Sequence, residues 1–577
     1  MRFVRSATER GRTRREPSRR TPVLRHALMN DSGGSTLRIT RVAAALVAAG
    51  LAAGTLAACT SGDDGGNGGG GDGSAIINAY GGEPQNPLIP TNTSENMGGR
   101  VVDVLFAGLV SYDAEGNTEN EVAESIETED GQNFTVTLKD GWTFTNGEPV
   151  TAASFVDAWN YGALSTNAQL QGSFFDPIQG YDEVAAENPT VDTMSGLQVV
   201  DEKTFTIELK QPEAAFPERL GFAAYYPLPA AAFEDMEAFG ENPIGNGPYM
   251  MAGEGAWQHN VRIDTVVNPD YDGNRKAVNG GVAFIMYSSL DTAYTDLLAD
   301  NVDVLEVVPP SAVTTYQSDL PDRNVNQPSA TIETVTIPQN LPHFSGEEGV
   351  LRREAISKAI DRDLVTEQIY NNTRTPAKDF TSQALPGWTD SLEGVDKVEF
   401  DAEGAKELWA QADAIAPFSG TFEIAYNGDG GHKEWVDAVT NSIRNTLGIQ
   451  AQGKEIATFA QLRTEATNRT IGSAFRSGWQ GDYPQQYGFL AQNYQTGGSS
   501  NDGDYSNPEF DRLLRESAGA TDADQQQQLT NQAQEILLND LPAVPLWYRN
   551  AAGAWSNNVS DVQIDWQGIP VYNEMTK

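Results

Sequence analysis

A chain of 577 residues with 39% hydrophobic and 20% charged side chains has enough apolar material for two or three packed domains. Its 80 acids against 38 lysines and arginines give a formal net charge of −42, which repels nucleic acid and anionic membrane surfaces and excludes a binding role on either. A single cysteine, Cys59, excludes an internal disulfide framework.

Residues 1–28 are arginine-rich and without periodicity, so they form either an extended basic leader or a stretch upstream of a true start at Met29. Arg38 and Arg41 then precede an uncharged Ala/Leu/Val-rich run from Val42 to Ala58 that ends in Leu56-Ala57-Ala58-Cys59. A charged region, an apolar region and small residues at a cut site are the parts of a secretory signal. At 17 residues and rich in alanine, the apolar run sits at the short limit for a spanning helix. Leu-Ala-Ala-Cys resembles a bacterial lipobox, which implies that Cys59 is lipidated and becomes the first residue of the mature protein. Two acyl chains on one residue anchor stably where a single chain does not. The 58 residues before Cys59 hold 11 of the basic and three of the acidic side chains, leaving 27 basic against 77 acidic, a net of −50.

Thr60 to Gly73 is a Gly/Asp/Ser run, read as a flexible tether with a reach of about 20 Å. Gly66 to Gly71 formally fits a Gly-x-Gly-x-x-Gly pattern, but no strand precedes it and no helix follows, so it is not a phosphate loop. Ordered structure is expected from a β-like run near Ala75 to Tyr80, followed by a helix over Val101 to Val110. Phe134, Val136 and Leu138 alternate with polar residues, as do Phe205, Ile207 and Leu209, predicting strands with one buried face. Asn146-Gly147 predicts a turn, and Thr151 an N-cap for a helix burying Phe155, Val156 and Trp159.

Further on, Leu351, Ala355, Ile356, Ala359, Ile360 and Leu364 form one helical stripe, which a core-facing helix explains. Asn507-Pro508 reads as an N-cap with proline at the first helical position, and Phe510, Leu513 and Leu514 face inward. A helix through Leu529, Ala533, Ile536 and Leu537 leads to a return strand over Leu541 to Trp547. Catalytic and metal-binding signatures are missing from the sequence. Beyond Cys59 only His259, His343 and His432 remain, with no His-Glu-x-x-His, Gly-x-Ser-x-Gly or Gly-Lys-Ser/Thr motif, and no cofactor is expected. Asn427-Gly428-Asp429-Gly430 and Asp502-Gly503-Asp504 lack the full acid spacing of calcium loops and read as turns.

Several segments together resemble the peptide-binding family of ABC-transporter solute receptors, the oligopeptide and dipeptide binding proteins. They are Ala123 to Ser125, Glu129 to Gly141 and Asn146 to Ala152, then Pro243-Ile244-Gly245-Asn246-Gly247-Pro248-Tyr249, where Asn246 replaces the usual Thr. Asn268-Pro269-Asp270-Tyr271, Asn301-Val302-Asp303 and the helix from Arg353 to Arg362 follow at the family's spacing. The resemblance covers nearly all of the chain after the tether. It implies an α/β, periplasmic-binding-protein-like fold of the cluster C type, class II: two lobes joined by a hinge, with an additional domain. The boundaries it implies are a leader at 1–58, tether at 59–74, lobe I at 75–118 and 229–334, extra domain at 119–228, lobe II at 335–539 and a return to lobe I at 540–577.

Ser477-Gly478-Trp479-Gln480-Gly481-Asp482-Tyr483-Pro484 resembles the family's Gly-Trp-x-x-Asp-Tyr loop. The resemblance implies that Asp482 pairs with a ligand ammonium while Trp479, Gly481 and Tyr483 wall the pocket; Gln485-Gln486-Tyr487 departs from the family's proline here. Asn96, Met97 and Gly98 are implied to run along the ligand. Asn340 stands at the entry to lobe II and serves equally well as a hinge residue. The residue that takes the other end of a peptide stays unassigned. The implied function is a lipid-anchored receptor on the outer face of the cell membrane. It captures oligopeptides or dipeptides as a monomer, passes them to an ABC-type permease and has no nucleic-acid partner. Another solute, a sensing role without transport, or a surface lipoprotein hydrolase working with paired carboxylates are the alternatives.

Overall fold

Two 13-residue strands, Asn324–Thr336 and Ala543–Trp555, run antiparallel through the middle of the molecule and organise everything else. The computed structural model describes residues 73–577 apart from 429, 430 and 499; Cys59, the leader and most of the tether lie outside the described residues. On one side of the long pair the sheet continues through Ala474–Gln480, Thr421–Asn427 and Gln450–Ile456. On the other it continues through Val304–Leu305, Ile76–Gly81, Gly281–Met286, Arg262–Val267 and Tyr249–Met251. Each lobe is thus a mixed sheet covered by helices, and the long strands belong to both. A strand of 13 residues spans about 43 Å, enough to cross from one lobe to the other.

The ladder between the long strands is interrupted. Pairing stops at Pro328 opposite Asn550 and resumes at Ile332 opposite Tyr548, with a second shift before Thr334. Proline cannot donate to a ladder and bulges bend the strand that carries them, so the crossing pair kinks at its centre. Freed there, Ala330 donates its N–H to the Trp566 carbonyl at 2.7 Å and accepts the Gly481 N–H at 2.7 Å. Three distant segments are sewn together at the kink.

A four-stranded antiparallel sheet, in the order Ala123–Thr128, Asn133–Leu138, Thr204–Glu208, Leu197–Val199, forms the additional unit. Phe134, Val136, Phe205 and Ile207 are buried as their alternation predicts. Helix Ala152–Ala163 packs on this face, with Thr151 and Ser154 forming a capping box and Phe155 and Trp159 against Phe205. The Asn146-Gly147 turn is present, with Gly147 at φ 87°.

The structure differs from the sequence expectations in three places. The first helix is Asn96–Leu105 rather than Val101 to Val110. Glu95 caps it by accepting the Met97 N–H at 2.7 Å and the Gly98 N–H at 2.9 Å, while Gly98-Gly99 conceals the start from propensity. The stripe from Leu351 to Leu364 is two helices, Gly346–Lys358 and Arg362–Gln368. Asp361 caps the second by accepting the Leu364 N–H at 3.0 Å, which turns Leu364 out to solvent. The segment around Trp479 is not all loop: Ala474–Gln480 pairs with Asn324–Thr336 as a strand, and the loop begins at Gly481.

Candidate functional site

The kink in the crossing strands forms the bottom of a cleft in which two cavities adjoin. One has a volume of about 380 Å³ and is lined by Asp482, Gly481, Asp565, Trp566, Asp103 and Tyr112, together with Phe174 and Phe222 of the additional unit. The other, of about 410 Å³, is lined by Tyr370, Trp435, Arg374 and Arg549. Asn96, Arg100, Gln480, Gln567 and Ile569 face both cavities and form the partition between them.

The partition is locally rigid for identifiable reasons. Helix Asn96–Leu105 points its first turn, with Asn96 and Arg100, at the cleft, and the Glu95 cap fixes that end. Arg100 is buried and pairs with Glu306 at 2.6 Å, so this wall carries no net charge. Gln567 donates from Nε2 to the Gly481 carbonyl at 2.9 Å, tying the C-terminal segment to the loop that bears Asp482.

Asp482 has no hydrogen-bond or ion-pair partner among the described residues. Part of its surface opens into the cavity, while the surrounding protein shuts out most bulk water, and that burial pushes its carboxyl up to about 7. Asp565 faces the same cavity. Burial also pushes it up to about 7, although it accepts the backbone N–H groups of Ile569 at 2.8 Å and Gln567 at 2.9 Å. The one arginine on this side apart from Arg100, Arg275, is already committed to Asp103 at 3.2 Å, Glu121 at 3.4 Å and the Phe106 carbonyl at 2.7 Å. This cavity therefore holds two carboxylates in want of a cation.

The sequence-derived candidates separate in the structure. Asp482, Gly481 and Asn96 meet in the acidic cavity, and Met97 lines the neighbouring one beside Arg100. Gly98 is buried under the Glu95 cap, where a Cβ would lie 2.6 Å from Glu95 Oε1. Trp479 lines a separate recess with Thr334, Asp502 and Tyr505. Tyr483 is buried with its ring 5.2 Å from the Arg219 guanidinium, which is itself paired with Glu213. Asn340 is exposed after the long strand and lines neither cavity.

Sequence reasoning missed Asp565, Gln567, Arg374 and Arg549. A signal for the first two exists: Asp565-Trp566-Gln567-Gly568 repeats the residue types of Trp479-Gln480-Gly481-Asp482 in a different order. Among the described residues no cluster of histidine, cysteine and carboxylates is placed to hold a metal, and no helix is long and apolar enough to cross a membrane.

Known proteins share this fold. The chain is 26% identical over 494 residues to the oligopeptide-binding protein OppA of Bacillus subtilis, covering 82% of this chain and 88% of that protein. The fold matches the murein tripeptide binding protein MppA of Escherichia coli with a TM-score of 0.70 at 21% identity, over 87% of this chain and 98% of that one. It matches OppA of Haemophilus influenzae in complex with RPPGFSPFR with a TM-score of 0.70 at 22% identity, over 88% and 99%. The architecture is thus the α/β, two-lobe, class II periplasmic-binding-protein fold that the sequence motifs implied. Residues 117–501 match the model for bacterial extracellular solute-binding proteins, family 5 Middle, and with that match spanning well over half of its length the protein is a member of this solute-binding family.

Proposed function

We propose that this protein is a peptide receptor that holds the ligand's free ammonium at Asp482 and hands the peptide to an ABC-type permease. The observation that carries the reading is the unpartnered, half-buried Asp482 carboxylate in the wall of the acidic cavity. An ammonium buried there needs an opposite charge, and the carboxylate needs a cation, so each removes the other's desolvation cost. The names of the relatives, which include oligopeptide-binding and dipeptide-binding proteins, support peptides as the ligand class. On this reading the lobes (75–118 with 229–334, and 335–539, with 540–577 returning) close over the ligand by bending at the crossing strands, and 119–228 walls one end. The receptor works as a monomer, tethered to the outer face of the membrane by lipid on Cys59.

The test is the affinity of the protein for a short peptide with a free amino terminus and for the same peptide acetylated there. Strong preference for the free amine is expected. Equal affinity for both, or no binding of either, refutes the assignment. For the anchor, Cys59→Ser is expected to move the protein from the detergent-extracted membrane fraction to the medium; processing and membrane partition as in wild type would refute it.

A further inference from the structure

An ammonium at Asp482 leaves the second carboxylate of the acidic cavity unanswered. Asp565 is held independently of the Asp482 loop, because the Ile569 and Gln567 N–H groups that fix it, at 2.8 and 2.9 Å, belong to its own segment. Both bonds fall on Oδ1, and no cation lies within ion-pair distance of Asp565 among the described residues. The rest of the cavity adds to the excess of acid. Asp103, Glu121 and the capping Glu95 also line it, while its two bases are already used: Arg100 by Glu306, and Arg275 by Asp103 and Glu121 together. One arginine does not satisfy that pair. Glu121 is 0% exposed, and although Oε1 accepts the Tyr271 O–H and lies 3.4 Å from Arg275 Nε, its Oε2 has no hydrogen-bond partner.

The space beyond Asp565 shows what kind of cation fits. Asp565, Asp103 and Tyr112 also line a side chamber of about 360 Å³, bounded by helix Asn96–Leu105, the strands Val110–Tyr112 and Thr118–Asn120, and residues 563–574. Asp113, Glu115, Glu119 and Glu574 line it further, and Arg275 is its one base among the described residues. The chamber shares only Ile569 with the other cavity of the cleft, so it branches off the path that joins the two main cavities. A branch takes a side chain. The main chain of a peptide carries a single ammonium, so a second cation in the branch has to be borne on a lysine or arginine side chain. Its methylenes need an apolar wall and its charge an acid or a ring face. Tyr112 and Trp566, edge to face at 6.0 Å, stand at the entrance and offer both ring and apolar surface.

We propose that Asp565 is a specificity-determining residue that takes a second cation of the ligand, on a basic side chain near its amino terminus, and that the side chamber receives that side chain. The inference rests on the peptide reading above and deepens it. The favoured ligands are peptides with lysine or arginine as the first or second residue, and both positions present the same kind of group to Asp565.

The experiment measures affinity of wild type and Asp565→Asn for short peptides with a free amino terminus, carrying lysine, arginine or norleucine at the first or the second position and alanine elsewhere. Norleucine matches the lysine stem without its charge. In wild type, the basic side chain at one of the two positions should bind roughly 10- to 30-fold more tightly than norleucine there, and the position that shows the preference identifies the residue. Asp565→Asn keeps an acceptor for the two backbone N–H groups and removes the charge. It should abolish the preference while leaving the norleucine peptides within about twofold of wild type, which separates lost selectivity from lost folding. Equal affinity of wild type for basic and norleucine peptides at both positions overturns the proposal. So does a loss in Asp565→Asn by one factor for every free-amine peptide, which would mark Asp565 as a second holder of the α-ammonium, or a basic preference that survives the substitution. A kept preference for free over acetylated amino termini with no preference for basic side chains overturns this inference alone; failure of every peptide to bind overturns both.

Discussion

The two adjoining cavities hold charge without a partner in opposite senses. On the acidic side, Asp482 and Asp565 can each take up a proton, and burial has brought both near neutrality, so the empty site relieves its own strain. On the basic side Arg549 faces Arg374 across the strands, and a guanidinium cannot shed its proton at working pH. One end is thus a charge that pH can remove, while the other is permanent. On the proposed reading, the grip on a ligand's ammonium therefore depends on pH, while the charge of the basic cavity does not.

The largest expected effect breaks the acidic end. Asp482→Asn keeps the shape and removes the charge, so affinity for a free-amine peptide should fall roughly 100-fold, about 3 kcal/mol. Affinity for the N-acetylated peptide should change little. Calorimetric titration of both peptides against both proteins checks it, and an equal loss for the two peptides would show that Asp482 supports the cavity rather than reading an ammonium.

Next in size is the response to pH. Binding an ammonium requires ionised Asp482, which in the empty protein carries its proton below about 7. As pH falls through that value, a proton must be released for each ammonium bound, so affinity should drop by up to about tenfold per unit between pH 7 and 5. It should level off just above 7 and fall again above about 8, where the ligand's α-amino group loses its own proton. Asp482→Asn should lose most of that slope, leaving only what Asp565 in the same cavity contributes. The empty protein responds with the reverse sign: its Asp482 has a raised pKa, so this group's contribution to stability is fully present below about 4 and is lost as pH rises through about 7.

The smallest effect sharpens the comparison by acting on the partition. Glu95→Ala removes the cap of helix Asn96–Leu105, costing about 1 kcal/mol of local stability. Because Asn96 and Arg100 face both cavities, acetylated and free-amine peptides should each lose a few-fold in affinity, by the same factor. A loss confined to one of them would mean that the helix serves one end only.

Legibility followed locality. The alternation of Phe134, Val136 and Leu138, the Asn146-Gly147 turn and the Asn507 cap, which accepts the Glu509 N–H at 3.0 Å, are settled by neighbours a few residues away and were readable. The break at Asp361 was hidden because an apolar stripe continues through it, and the first helix because Gly98 and Gly99 sit in its opening turn. In the site, Asp482 was reached through the resemblance of its Gly-Trp-x-x-Asp-Tyr loop to the family's, not from its acid beside glycine alone. No such motif covers Asp565, and only the docking of Gln567 on Gly481 brings it to the same cavity. Arg549 follows Leu546-Trp547-Tyr548 in a strand that reads as apolar core, and its partner Arg374 lies 175 positions earlier. No window of sequence holds the two together.

The open ladder at Pro328 also sets an order of events. Ala330 completes its backbone bonding only with Gly481 and Trp566, so the bottom of the cleft has sequence separations of 151 and 236 residues built into two hydrogen bonds. Contacts of that span form late, after the local helices and hairpins of each lobe. A chain emerging from its amino end can assemble the strands of 123–208 and much of lobe II while still unable to bind, because the segment around Trp566 has yet to arrive. Ligand affinity is therefore a late-acquired property of this molecule, and a nascent or clipped chain lacking those final residues competes for no peptide.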